Sequence, residues 1–115
     1  MNYFFLTTGS GCIELLMKED DIRSIATSGS NDLAVADVHG SEYIKKQLAQ
    51  VSDEVIDDEF DNLGIDMTMY EKGELKRKDK EDYILWALAW DFIDDEENEE
   101  PYTEEQALEI LSKIG

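Results

Sequence analysis

The chain has 115 residues, enough for one core and a single domain over residues 1–115, and 42% of them are apolar. Its 29 acidic residues outnumber 10 basic ones, for a formal net charge of −19, while a 10% aromatic content argues against whole-chain disorder. Such a chain is repelled by bare nucleic acid and anionic membranes, lacks the run of about 18 apolar residues that spans a bilayer, and with one cysteine has neither an internal disulfide nor a cysteine-built zinc site.

Residues 1–7 are apolar and aromatic, with Tyr3, Phe4, Phe5 and Leu6. Thr8-Gly9-Ser10-Gly11 is turn chemistry, and residues 12–17 are apolar again, so the two β-favouring runs predict a hairpin with Cys12 as a small buried hydrophobe. Residues 22–27 read as a third short run, although residues 18–21 can instead open a helical turn. A second turn follows at 28–32, and residues 33–38 alternate weakly up to His39-Gly40, which completes a small antiparallel meander. The first charge is Glu14, so no basic segment of a signal peptide precedes the apolar run. With a single cysteine, the expected location is a reducing, bacterial-type cytoplasm.

The pattern changes at Ser41, an N-cap residue followed by Tyr43, Ile44, Leu48 and Val51 at helical spacing. Ser52-Asp53-Glu54 opens a second helix, or continues the first, with Val55, Ile56, Phe60 and Leu63 inward and Gly64 as the stop. Residues 65–70 alternate with a period of two and predict a later strand. Residues 79–93 form the strongest helix, apolar around more of its circumference than a stripe, and so the central core helix, with Trp86 and Trp90 read as packing residues and a partner-binding tryptophan as the alternative. Residues 94–100 are almost wholly acidic, Pro101 breaks the chain, and Thr103-Glu104-Glu105-Gln106 is a capping box for a last helix through Leu108, Leu111 and Ile114. The expected fold is α+β: a small antiparallel sheet from the N-terminal part and one later strand, packed against three to four helices.

Charge is distributed unevenly. Residues 53–66 hold seven carboxylates (Asp53, Glu54, Asp57, Asp58, Glu59, Asp61, Asp66) and no base. Residues 91–105 hold nine (Asp91, Asp94, Asp95, Glu96, Glu97, Glu99, Glu100, Glu104, Glu105) and no base, whereas half of all Lys and Arg lie in residues 72–80. If residues 91–100 were helical they would span ~15 Å, about one charge per 2 Å, against ~1.7 Å per charge in duplex DNA. Like charges four apart on a helix cost ~0.2–0.5 kcal/mol a pair. A sequence that tolerates several such pairs suggests a use for the charge, against the bland alternative of a solvated face.

Other motifs yield no chemistry. His39 is the only histidine and pairs with no nucleophile pattern, so no catalytic residue is assigned. The glycines at 9 and 11 lack the spacing of a phosphate loop, and no cofactor is expected. Asp94, Glu96, Asn98 and Glu105 fall at positions one, three, five and twelve of an EF-hand-like loop, but Glu99 stands where that loop needs glycine and Pro101 falls at position eight, so no metal site is expected. With 29 carboxylates, nothing singles out an acid–base pair, and an enzyme is not expected.

In size, charge and its two acidic tracts the chain resembles the small acidic DNA-mimic proteins of bacteria, phages and plasmids, which occupy the histone-like protein HU, restriction enzymes or CRISPR effectors. The resemblance implies a basic DNA-binding protein as partner, HU first among them, while the net charge of −19 itself argues against direct nucleic-acid or membrane binding and favours a monomeric chain. The partner-binding residues are then Asp53, Glu54, Asp57, Asp58, Glu59, Asp61, Asp91, Asp94, Asp95, Glu96, Glu97, Glu99, Glu100, Glu104 and Glu105, pairing with Lys and Arg. The same physics serves an immunity protein or antitoxin that blocks a basic nuclease toxin, and the two alternatives stay open. The basic residues Lys76 to Lys78 would offset repulsion or orient the molecule.

Overall fold

Strands β1 (Tyr3–Thr7) and β2 (Glu14–Lys18) form an antiparallel hairpin in which Phe5 faces Leu16 and Tyr3 faces Lys18. The turn closes through Thr8 N–H to Ile13 O (3.0 Å) and Gly11 N–H to Thr8 O (2.8 Å). Gly11 takes a φ of +78°, which a side chain would resist. The computed structural model describes residues 2–27, 41–64 and 76–113, and all that follows concerns these. Cys12 lies exposed in this turn, donating its N–H to Ser10 Oγ, and is not the buried hydrophobe expected from its apolar neighbours.

Directly after β2 the chain enters helix α1 (Glu19–Thr27), where a third strand was expected. Ile22, Ile25 and Ala26 fall at i, i+3 and i+4, so one face is buried, and Glu19, Asp20 and Asp21 sit at the positive end of the helix dipole. Helix spacing therefore prevails over the β preference of two isoleucines. The second turn, the weak alternation up to His39 and the later strand at 65–70 lie outside the described residues.

Helices α2 (Glu42–Ala49) and α3 (Asp53–Asn62) are separate. Ser52 Oγ accepts Val55 N–H at the start of α3, and Gly64, at φ +68°, follows its end. Helix α4 (Arg77–Asp94) is the long central helix, followed by a 3-10 turn at Glu96–Asn98 and by α5 (Glu104–Ser112). Thr103 and Gln106 cap α5 reciprocally, as the sequence predicts. The fold is thus α+β, with a small sheet packed against five α-helices among the described residues rather than three or four.

The hairpin is covered on both faces, which explains why its strands are apolar without alternation. Phe4, Leu6, Leu15 and Met17 join Ile22 and Ile25 of α1 and Ile84, Leu85, Leu88 and Phe92 of α4 in the main core. Tyr3 and Leu16 point the other way, into a smaller cluster with Ala107 of α5. Both strand edges are also closed. Tyr3 exchanges two backbone hydrogen bonds with Tyr102 (2.9 and 2.7 Å). On the other edge the buried Gln47 amide of α2 accepts from Leu16 N–H (2.7 Å) and donates to Leu16 O (2.9 Å). Tyr43 Oη accepts Lys18 N–H and donates to Asp21.

Candidate functional site

Helix α3 carries the first acidic tract and runs beside α4 in the same direction. Arg77, at the start of α4, pairs with Asp53 of α3 and with Glu81 one turn along (2.8 Å). Its Nη2 donates to the carbonyls of Leu48 and Val51 (2.8 and 2.6 Å), the end of α2. Glu81 first and Asp53 second hold the Arg77 guanidinium above the ordinary arginine range. One turn on, Lys80 Nζ reaches Asp57 (2.7 Å) and lies over the Phe60 ring. The basic segment thus offsets the first tract from within the fold.

Glu59 leaves the expected set of presented charges. It is 4% exposed and accepts a hydrogen bond from Ser10 Oγ in the hairpin turn. Glu54, Asp58 and Asp61 are exposed, and no ion pair forms to them among the described residues. Asp66 lies outside the described residues. The first tract therefore presents a mixture of paired, buried and free carboxylates.

The second tract is built differently. Asp91 and Asp94 are exposed in the last turn of α4, which contains no basic residue, and Asp95 caps it. These charges stand at the negative end of an 18-residue helix, where the backbone dipole opposes them. Beyond Asp95 the chain makes the 3-10 turn, with the Asp95 carboxylate accepting from the Asn98 amide, and then extends to Tyr102. Residues 95–100 are thus not a continuation of the helix, so the charge spacing computed for a helix applies only as far as Asp94. The Tyr3–Tyr102 bridge anchors this segment to the sheet, and the Tyr102 ring meets Phe5 edge-on at 5.1 Å.

One cation touches this tract among the described residues. Arg23 of α1 pairs with Glu96 and also with Glu19 (3.0 Å), and both carboxylates, Glu19 first, raise its guanidinium above the ordinary range. Asp91, Asp94, Asp95, Glu97, Glu99, Glu100, Glu104 and Glu105 have no cationic partner among the described residues. Glu104 and Glu105 start α5, where the dipole favours them. The EF-hand-like positions do not converge: Glu96 and Asn98 lie in the 3-10 turn and Glu105 on α5. No group of three metal-capable side chains forms among the described residues.

Two shallow depressions adjoin the second tract, and one of them also reaches the first. One, of about 340 Å³, lies between the hairpin turn, α3 and α4, and brings Glu59 and Asn62 beside Leu63, Ala87 and Asp91. The other places Asp91, Asp94, Asp95 and Glu99 around Thr7 and Leu88. Asp91 belongs to both.

Sequence reasoning missed the exposure of Trp86 (37%) and Trp90 (41%), which were expected to pack in the core. They meet each other edge-on, with ring centroids 6.4 Å apart. A signal existed: at about 100° per residue, Trp86 lies opposite Leu88, so an apolar residue at both positions leaves one of them outside. No helix among the described residues is long and apolar enough to cross a membrane. Compared with known protein families, curated proteins and solved structures, the chain has no match.

Proposed function

We propose that this chain is a binding protein, not an enzyme, that presents carboxylates where a basic DNA-binding protein expects phosphates. It occupies that protein's Lys/Arg surface and inhibits or modulates it. The candidate targets are an HU-like nucleoid protein, a restriction enzyme or a CRISPR effector. The second tract carries most of the binding, and the free carboxylates Glu54, Asp58 and Asp61 of the first tract extend it.

One observation carries this reading. Asp91, Asp94 and Asp95 crowd the negative end of α4 with no cation to relieve them among the described residues, although the fold supplies Arg77 and Lys80 to the first tract. Such crowding costs folding stability, as like charges on one helix face do at Asp91 and Asp94. A basic partner removes that cost on binding, and the resulting association is fast and salt-dependent.

The test is a pull-down from native host lysate at low salt, eluted by a salt gradient and identified by mass spectrometry. One DNA-binding protein that elutes sharply, and that duplex DNA displaces, is the expected result. Elution of a nuclease toxin would instead make the chain an immunity protein. A diffuse set of basic proteins would reduce the charge to a solvated face.

A further inference from the structure

The outer face of α4 carries a feature that charge mimicry alone does not use. Trp86 and Trp90, the only tryptophans of the chain, stand exposed one turn apart. The core side of the helix is already filled by Ile84, Leu85, Leu88, Ala89 and Phe92. An exposed carboxylate continues the same face: Asp94 lies one turn beyond Trp90, whereas Asp91 turns toward the hairpin. Lys78 and Lys80 are engaged near the far end of the helix, with Asp82 and Asp57, and Arg77 with Asp53 and Glu81. Among the described residues, the chain's own cation–π contacts fall on Tyr43 and Phe60, not on either tryptophan.

We infer that Trp86 and Trp90, with Asp94, form a docking site for an arginine side chain on the basic surface of the protein partner. The inference rests on the charge-mimicry reading for the nature of that surface. Charge complementarity selects the occupant. The acid beside the indoles opposes a second copy of this chain, itself at −19, and an anionic membrane equally. A guanidinium suits the site better than an ammonium: it is planar, weakly hydrated, stacks on an indole face and still offers edge N–H groups to carboxylates. Tryptophan and arginine are also the side chains most enriched among those that dominate binding energy at interfaces.

The probes are acetylated hexa-arginine amide and hexa-lysine amide, titrated at equal salt. Because both tryptophans lie in the site, their intrinsic fluorescence reports on it directly. The arginine peptide is expected to change that fluorescence and to bind about tenfold more tightly than the lysine peptide, the gain of one well-placed cation–π contact. Trp90→Leu should bring the arginine peptide down to the affinity of the lysine peptide, while Trp90→Phe keeps most of the preference. Circular dichroism of both variants should match the parent, since Trp90 is on the surface. Equal affinities for the two peptides, or an arginine preference that survives Trp90→Leu, would overturn the site. So would sedimentation showing a dimer that Trp86→Leu with Trp90→Leu dissociates. A partner that duplex DNA displaces, combined with no arginine preference, removes this site and leaves charge mimicry standing. An arginine preference without any such partner does the reverse.

Discussion

Residues 53–61 and residues 91–105 are both written largely in carboxylates, yet α4 meets them at opposite ends with opposite chemistry. Its first turns bring Arg77 and Lys80 to Asp53 and Asp57. Its last turn brings more acid, Asp91 and Asp94, to a segment whose cationic contact among the described residues is Arg23 with Glu96. Charge that is paired inside the fold contributes to holding the helices together. Charge that is left unpaired raises the energy of the free molecule and is available to a partner. Sequence density of charge does not separate these cases, because the cations that decide between them arrive from elsewhere in the chain.

The comparison can be broken most forcefully at the second tract. Reversing Asp94, Asp95, Glu96 and Glu97 together to lysine is expected to abolish binding to the DNA-binding partner, a loss of about 100-fold or more by calorimetric titration. Retained affinity would remove this tract from the interface. At the first tract the larger effect is on folding. Arg77→Ala removes the hydrogen bonds from this guanidinium to Glu81, Asp53 and two carbonyls and should cost about 2–3 kcal/mol in urea unfolding, with the affinity of the folded fraction unchanged.

Tyr43 provides a control that belongs to neither tract. Burial, and then the adjoining Asp21 carboxylate, push its phenol well up from the ordinary 10. The folded chain holds this proton more tightly than the unfolded chain does. The group's contribution is therefore complete below pH ~10 and is lost as pH rises beyond it. Tyr43→Phe should cost about 1 kcal/mol near neutral pH, flatten the alkaline loss of stability followed by circular dichroism, and leave binding alone. The smallest effects belong to single charges. Arg23→Ala frees Glu96 and should tighten binding about twofold, while Asp94→Asn should weaken it by a similar factor, both read from titrations at low salt.

Much of the fold was legible where local chemistry decides it. Glycines between two apolar runs marked the hairpin, Ser52 and Gly64 bracketed α3, and Thr103 with Gln106 opened α5. The misreading at α1 came from weighing the β preference of Ile22 and Ile25 above their helical spacing. The site was legible as composition only. Glu59 counts as a surface charge until Ser10, 49 residues away, is folded over it. Asp53 and Asp57 read as unrelieved until Arg77 and Lys80 are brought alongside. Trp86 and Trp90 read as core because their helix is apolar on most sides, and only packing shows which side the core occupies.

The central claim, that the second tract rather than net charge does the binding, can be tested with two variants of equal charge. One carries Asp91→Asn, Asp94→Asn and Glu97→Gln; the other carries Glu54→Gln, Asp58→Asn and Asp61→Asn, which spares the pairs to Arg77 and Lys80. The measurement is displacement of a fluorescein-labelled DNA duplex from HU across a potassium chloride series. The parent chain should displace the duplex, the first-tract variant should do so within about threefold of the parent, and the second-tract variant should be weaker by about tenfold or more. Equal weakening in the two variants, or no displacement by the parent chain, would contradict it.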